Sequence, residues 1–113
     1  MKRLMLIMTV ILLAAGLNLS AGTVKKASFK VNGNCGMCKT RIEKAAKSVT
    51  GVTTADWNQS TKVLAVSYNE AKTNSDQIQK AIAKVGHDTE KFKADDKTYN
   101  ALPGCCKYRP KAK

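Results

Sequence analysis

Two cysteines three residues apart run straight into an amphipathic segment, and this juxtaposition limits the chain more than any other feature. In Gly33-Asn34-Cys35-Gly36-Met37-Cys38-Lys39, Gly33 and Gly36 let the backbone turn tightly. Cys38, Ile42, Ala45, Ala46 and Val49 then recur at helical spacing. The pattern predicts Cys35 on an exposed loop and Cys38 in the first turn of a helix. There, unpaired backbone amides and the positive end of the helix dipole favour a thiolate over a thiol. Lys39 and Arg41 add positive charge. Two adjacent thiolates on such a loop suit a soft, thiophilic metal ion. A disulfide, or a pair without a role, is the plainer alternative.

The remaining composition sets the context. Met1-Lys2-Arg3 is a short positive start, residues 4–17 are apolar and uncharged, and Ser20-Ala21-Gly22 supplies small residues. This is the layout of a secretory signal peptide over residues 1–22, and the apolar run is short for a membrane span of about 20 residues. The reading implies export: to the periplasm in a Gram-negative source, otherwise secretion or anchoring by an uncleaved signal. Removal leaves roughly 92 residues, enough for one small core. The net charge is +12, consistent with a solvated surface or with steering towards an acidic partner or membrane surface. Export argues against nucleic acid as a partner. Four cysteines in an exported chain would ordinarily suggest two disulfides, but their spacing here argues for metal chemistry.

Taken in order, residues 24–32 alternate weakly, with Val24, Ala27, Phe29 and Val31 apolar, and predict a first strand. A helix over 37–48 follows, supported by Glu43 and Lys47 four apart and stopped at Thr50-Gly51. Residues 52–58 predict a second strand with Val52, Ala55 and Trp57 inward. The segment 58–61 is a turn. Residues 62–68 are the clearest strand, with Leu64, Val66 and Tyr68 on one face. A second helix over 76–85 has several candidate N-caps in 73–76, Ile78, Ile82 and Val85 inward with Ala81 beside them, and Gly86 as its C-cap. Residues 88–92 predict a short fourth strand. The order βαββαβ, with right-handed crossovers, gives an α+β ferredoxin-like sandwich: a four-stranded antiparallel sheet with both helices on one face.

The Cys loop, this element order and Gly51-Val52 after the first helix together resemble the heavy-metal-associated domain. That family includes copper chaperones, the amino-terminal domains of copper-exporting ATPases and a periplasmic mercury-binding protein. The resemblance covers residues 24–94, and the exported context with the stretch 68–73 leans towards the mercury-binding member. It implies that Cys35 and Cys38 are metal ligands that bind a soft ion near-linearly. Cu(I) is the first expectation, with Hg(II), Zn(II) or Cd(II) also able to accept two thiolates. Two departures stand out. Where the family usually carries a Met tucked under the loop, this chain has Gly33. Met37, inside the pair, is the nearest substitute and is expected to pack in the core, with a thioether offered to Cu(I) as the other possibility. After the second helix the chain has Gly86-His87, and His87 is expected beside the Cys loop, as a third ligand, a group tuning the thiolates, or a surface His in an aromatic's place.

Residues 95–113 form a basic tail outside the resemblance, with Cys105-Cys106 between Tyr99 and Tyr108. Twelve or so residues span roughly 40 Å when extended, so the tail can reach back. Cys105 and Cys106 are therefore candidate additional ligands, or a second site. The resemblance implies a non-enzymatic carrier or scavenger that passes its ion by thiolate exchange to a partner with its own Cys site, such as a metal transporter. It would act as a monomer or as a metal-bridged dimer. A thiol–disulfide oxidoreductase using Cys35 and Cys38 and a disulfide-stapled structural domain are the rival classes.

Overall fold

A computed structural model describes residues 23–110. The expected signal peptide over 1–22 and the last three residues of the tail lie outside these described residues. Strands β1 (Val24–Lys30), β2 (Val52–Trp57) and β3 (Val63–Asn69) form an antiparallel sheet in the order β1-β3-β2. Helices α1 (Gly36–Lys47) and α2 (Ser75–Lys84) pack together. A short helix α3 (Asp96–Asn100) and a 3₁₀ turn at Gly104–Cys106 complete the order. Among the described residues no helix is long and apolar enough to cross a membrane.

The β2–β3 hairpin turns where Asn58 Oδ1 accepts the amides of Ser60 (2.9 Å) and Thr61 (3.0 Å), an Asx turn. Leu64, Val66 and Tyr68 all face inward, as their period of two requires. On β2 the inward set breaks that period: Val52 is half-buried and packs on the core that holds Ala55 and Trp57. The cause is an irregularity between Val52 and Thr54, where the register to β3 slips by one residue. Asn74 caps α2, its side chain accepting the Gln77 amide at 2.9 Å. Gly51 and Gly86 have φ of +101° and +108°, the left-handed region that ends helices.

Among the described residues the sheet has three strands, not four. Only Thr89 makes a strand-like bridge, to Val31. The reason is Gln79, whose buried amide oxygen on α2 accepts from Thr89 Oγ1 and from the Lys91 amide, each at 3.0 Å. Thr89 N then donates to Phe92 O at 2.7 Å, so the segment folds on itself instead of extending along β1. Two further expectations change. Ala83, not Ala81, is buried on α2. Glu43 pairs with Lys39 at 2.7 Å rather than with Lys47, because the same carboxylate accepts the Trp57 amide at 2.9 Å and is drawn towards β2.

Over residues 95–110 the chain neither extends nor detaches. Tyr99, Leu102 and Cys106 are buried members of the main core. Leu102 packs on Gly86, where a Cβ would come within 2.9 Å of its side chain. The Tyr108 hydroxyl donates to Gly86 O and accepts the Asp88 amide, each at 2.7 Å. Arg109 forks onto Asp88, Nη2 to Oδ1 at 2.7 Å and Nε to Oδ2 at 3.1 Å, and lies over the Tyr99 ring at 4.3 Å. The tail is thus an added layer beside the loop that follows α2.

Candidate metal centre

Cys35 occupies the N-cap of α1 with extended backbone, and Cys38 begins the buried stripe that continues through Ile42, Ala45 and Ala46. Their sulfurs are 3.6 Å apart. Gly33 is required by a close approach: a Cβ there would lie 3.1 Å from Cys38 Cβ and 3.2 Å from two Trp57 ring atoms. The indole fills the space beneath the loop, fixed by Nε1 donating to Val31 O at 3.0 Å. Met37 does not. It is 54% exposed, with its thioether sulfur 3.8 Å from Cys105 Sγ. The core-packing expectation for Met37 fails because Trp57 already occupies that place.

The 3₁₀ turn delivers the other two thiols to the same spot. Cys35 Sγ lies 3.4 Å from Cys105 Sγ and 3.6 Å from Cys106 Sγ, and the last two are 3.9 Å apart. Cys35, Cys105 and Cys106 form the one metal-compatible group of three or more His, Cys or acidic side chains among the described residues. All four cysteines are free. Arg41 Nη1 donates to Cys106 Sγ at 3.2 Å, so of the two cations noted beside the motif only Arg41 serves the sulfurs. Lys39 is held by Glu43, by Asp56 at 2.8 Å and by Trp57 O at 2.9 Å.

Charge is divided unequally. The Cys35 thiol is lowered to about 6, first by the Cys38 backbone N–H at the helix N-terminus and then by the Cys105 side chain. Burial raises Cys38 to about 11. Contact with Cys35 raises Cys105, and burial raises Cys106. The helix N-terminus therefore favours a thiolate, but at the capping Cys35 rather than in the first turn. One thiolate sits among three thiols.

His87 is fully buried, not a surface residue. Its Nδ1 lies 2.8 Å from Asn32 O, and the ring stacks on Tyr108 with centroids 5.7 Å apart. Burial lowers its pKa, so the ring is neutral. It stands outside the sulfur group. Sequence reasoning missed the clamp that holds the tail, although Tyr108-Arg109 beside a Cys-Cys pair was a legible signal: an aromatic and a cation with a partner to find.

A small α+β layer that gathers thiols at the N-terminus of its first helix defines a metal-binding domain. The chain belongs to the heavy-metal-associated domain family, whose model matches residues 28–88. It is similar to the copper-exporting P-type ATPase of Bacillus subtilis, 38% identical over 72 residues, which cover 63% of this chain and 9% of the ATPase. It is also similar to the copper chaperone CopZ of Staphylococcus aureus, 36% identical over 55 residues, or 49% of this chain and 81% of the chaperone. The crystal structure of oxidised MerP from Ralstonia metallidurans aligns with a TM-score of 0.57 and 28% identity, covering 60% of this chain and 96% of MerP. The family match ends before Cys105 and Cys106.

Proposed function

We propose that this protein binds a soft metal ion, Cu(I) in the first place, with Cys35 and Cys38 as the entry ligands, and carries or sequesters it outside the cytoplasm. The observation that carries the reading is the pair of sulfurs 3.6 Å apart on the N-terminal turn of α1, in a domain whose relatives include a copper chaperone and a copper-exporting ATPase. Residues 1–22 supply the export signal. Release proceeds by thiolate exchange. A partner's thiolate bonds to the bound ion, a three-coordinate intermediate forms, and one of this chain's sulfurs leaves. The partner is a metal transporter or acceptor with its own Cys site, and no substrate bond is broken. Hg(II) is the alternative cargo, supported by the likeness to MerP and by the same two-thiolate chemistry.

The test is native mass spectrometry of the reduced protein titrated with Cu(I) and then with Hg(II), beside Cys35→Ser. One tightly held ion that is lost in Cys35→Ser is the expected result. Retention of neither ion overturns the reading, and an insulin-reduction assay then asks whether the pair is redox-active instead.

A further inference from the structure

The family match stops at residue 88, yet two of the four clustered sulfurs come from residues 105 and 106. We propose that Cys105 and Cys106 are metal ligands, and that with Cys35 they form a three-sulfur site which retains the ion after the Cys35–Cys38 pair has received it. The inference rests on the soft-metal reading above and deepens it.

Geometry carries the argument. The three sulfurs make a nearly equilateral triangle with sides of 3.4, 3.6 and 3.9 Å. A point equidistant from them lies about 2.1 Å from each, against metal–thiolate bonds of about 2.3 Å, so small adjustments admit an ion. Cys35 belongs to both donor sets, being 3.6 Å from Cys38 as well. An ion can therefore pass from the pair to the trio without leaving Cys35. The tail is not a wandering strand that meets the loop by chance. Tyr108 and Arg109 lock it one side of the cysteines, Leu102 and Tyr99 the other, and Asn34 Nδ2 of the Cys loop donates to Lys107 O at 3.2 Å. Prepaid ordering of this kind is what gives a tethered ligand its high effective concentration.

Electrostatics agrees. Three thiolates on a monovalent ion leave a net negative site, and its buried member, Cys106, needs a partner for that charge. Arg41 already donates to Cys106 from α1. Met37 stands exposed at the mouth, its soft thioether 3.8 Å from Cys105 Sγ and outside the three-sulfur set. As the ion passes to the trio, metal–sulfur bonds to Cys105 and Cys106 form and the bond to Cys38 breaks. Of the two protons the tail thiols give up, one returns to the freed Cys38 sulfur and one goes to solvent, with no change of oxidation state. Hand-over then requires the partner's thiolates to replace the tail sulfurs, so the tail converts a fast-exchanging carrier into a retaining one.

The experiment is X-ray absorption at the copper edge on the reduced protein carrying one Cu(I), with affinity measured by competition against a Cu(I) chelator. Variants are Cys105→Ser, at an exposed position with little packing to lose, and Cys105→Ser/Cys106→Ser. The expected result is three sulfur neighbours in the wild type and two in the double variant, with affinity down about a hundredfold and Cu(I) transfer to the chelator faster. Cys105→Ser alone should already lose one sulfur. Two sulfurs in the wild type, or unchanged competition in both variants, overturns the proposal. If Cys35→Ser still abolishes binding in that case, the carrier reading stands without it. If the wild type holds no ion, both fall together.

Discussion

Alkylation of Cys35 as a function of pH is the sharpest probe of the metal-free site. The Cys38 amide and the Cys105 side chain lower its pKa to about 6 from 9.0. At pH 7 such a thiol is roughly nine-tenths ionised, against about 1% for an unperturbed one. The rate does not follow in proportion. Intrinsic nucleophilicity falls with pKa at a Brønsted slope of about 0.4–0.5, so three pKa units make this thiolate about 20-fold less reactive. The net advantage at pH 7 is about fourfold, which an assay at one pH would miss. The midpoint is the observable. Single-hit iodoacetamide labelling of the reduced protein from pH 4.5 to 10, read by peptide mass spectrometry, should place Cys35 near 6. Exposed Cys105, raised by its contact with Cys35, should label only in the alkaline range. Buried Cys38 should stay unlabelled until the fold opens. In Cys105→Ser the Cys35 midpoint should rise but stay below 9.0, since the larger cause is the backbone amide. A common midpoint near 8.5–9 for Cys35 and Cys105 would refute the reasoning.

Three further outcomes follow from the packing. Gly33→Ala should lower the urea midpoint by a stability loss of about 1 kcal/mol, because its Cβ meets Cys38 and the indole, while Gly36→Ala, with nothing within 4 Å, should lose nothing. Asp88→Asn should cost about 2 kcal/mol by breaking the fork to Arg109, and hydrogen exchange in residues 96–109 should accelerate. Burial works to raise the Asp88 pKa, but Arg109 and the Ala94 amide outweigh it and hold the carboxyl below its usual range. Its contribution is therefore complete above the unfolded value near 3.9 and is lost as pH falls through the folded one, so the wild-type tail should loosen only in acid. His87 is lowered by burial, so its neutral form supports the fold fully above about pH 6.5 and the contribution declines as pH drops below that. The denaturation midpoint should fall between pH 7.5 and 5.5, and His87→Phe should flatten that slope.

Local chemistry was legible in the sequence where a residue's neighbours in the chain were also its neighbours in space. The β2–β3 hairpin, the helix opening at the Cys pair and an N-cap for α2 within residues 73–76 follow from spacing and turn chemistry alone, the structure choosing Asn74 among them, and the family likeness follows from the motif they frame. The fourth strand was not legible, because Gln79, ten residues upstream of Thr89, captures the Thr89 hydroxyl and the Lys91 amide, and the Thr89 amide turns back to Phe92 O. Met37 was misplaced for the same kind of reason: the side chain that fills the loop's underside is Trp57, twenty residues further on. Neither substitution leaves a trace in periodicity.

The sequence by itself determined that two thiols would stand at the start of a helix on a small α+β domain, since that depends on glycine freedom, helical period and helix-terminus electrostatics. Only the tertiary structure decided that four sulfurs share one place. That outcome sets Cys35 beside thiols 70 and 71 residues away, and it rests on the side chain of Leu102 finding Gly86 and on Arg109 finding Asp88. Packing and ion pairing at such separations are fixed by the whole fold and by no local pattern.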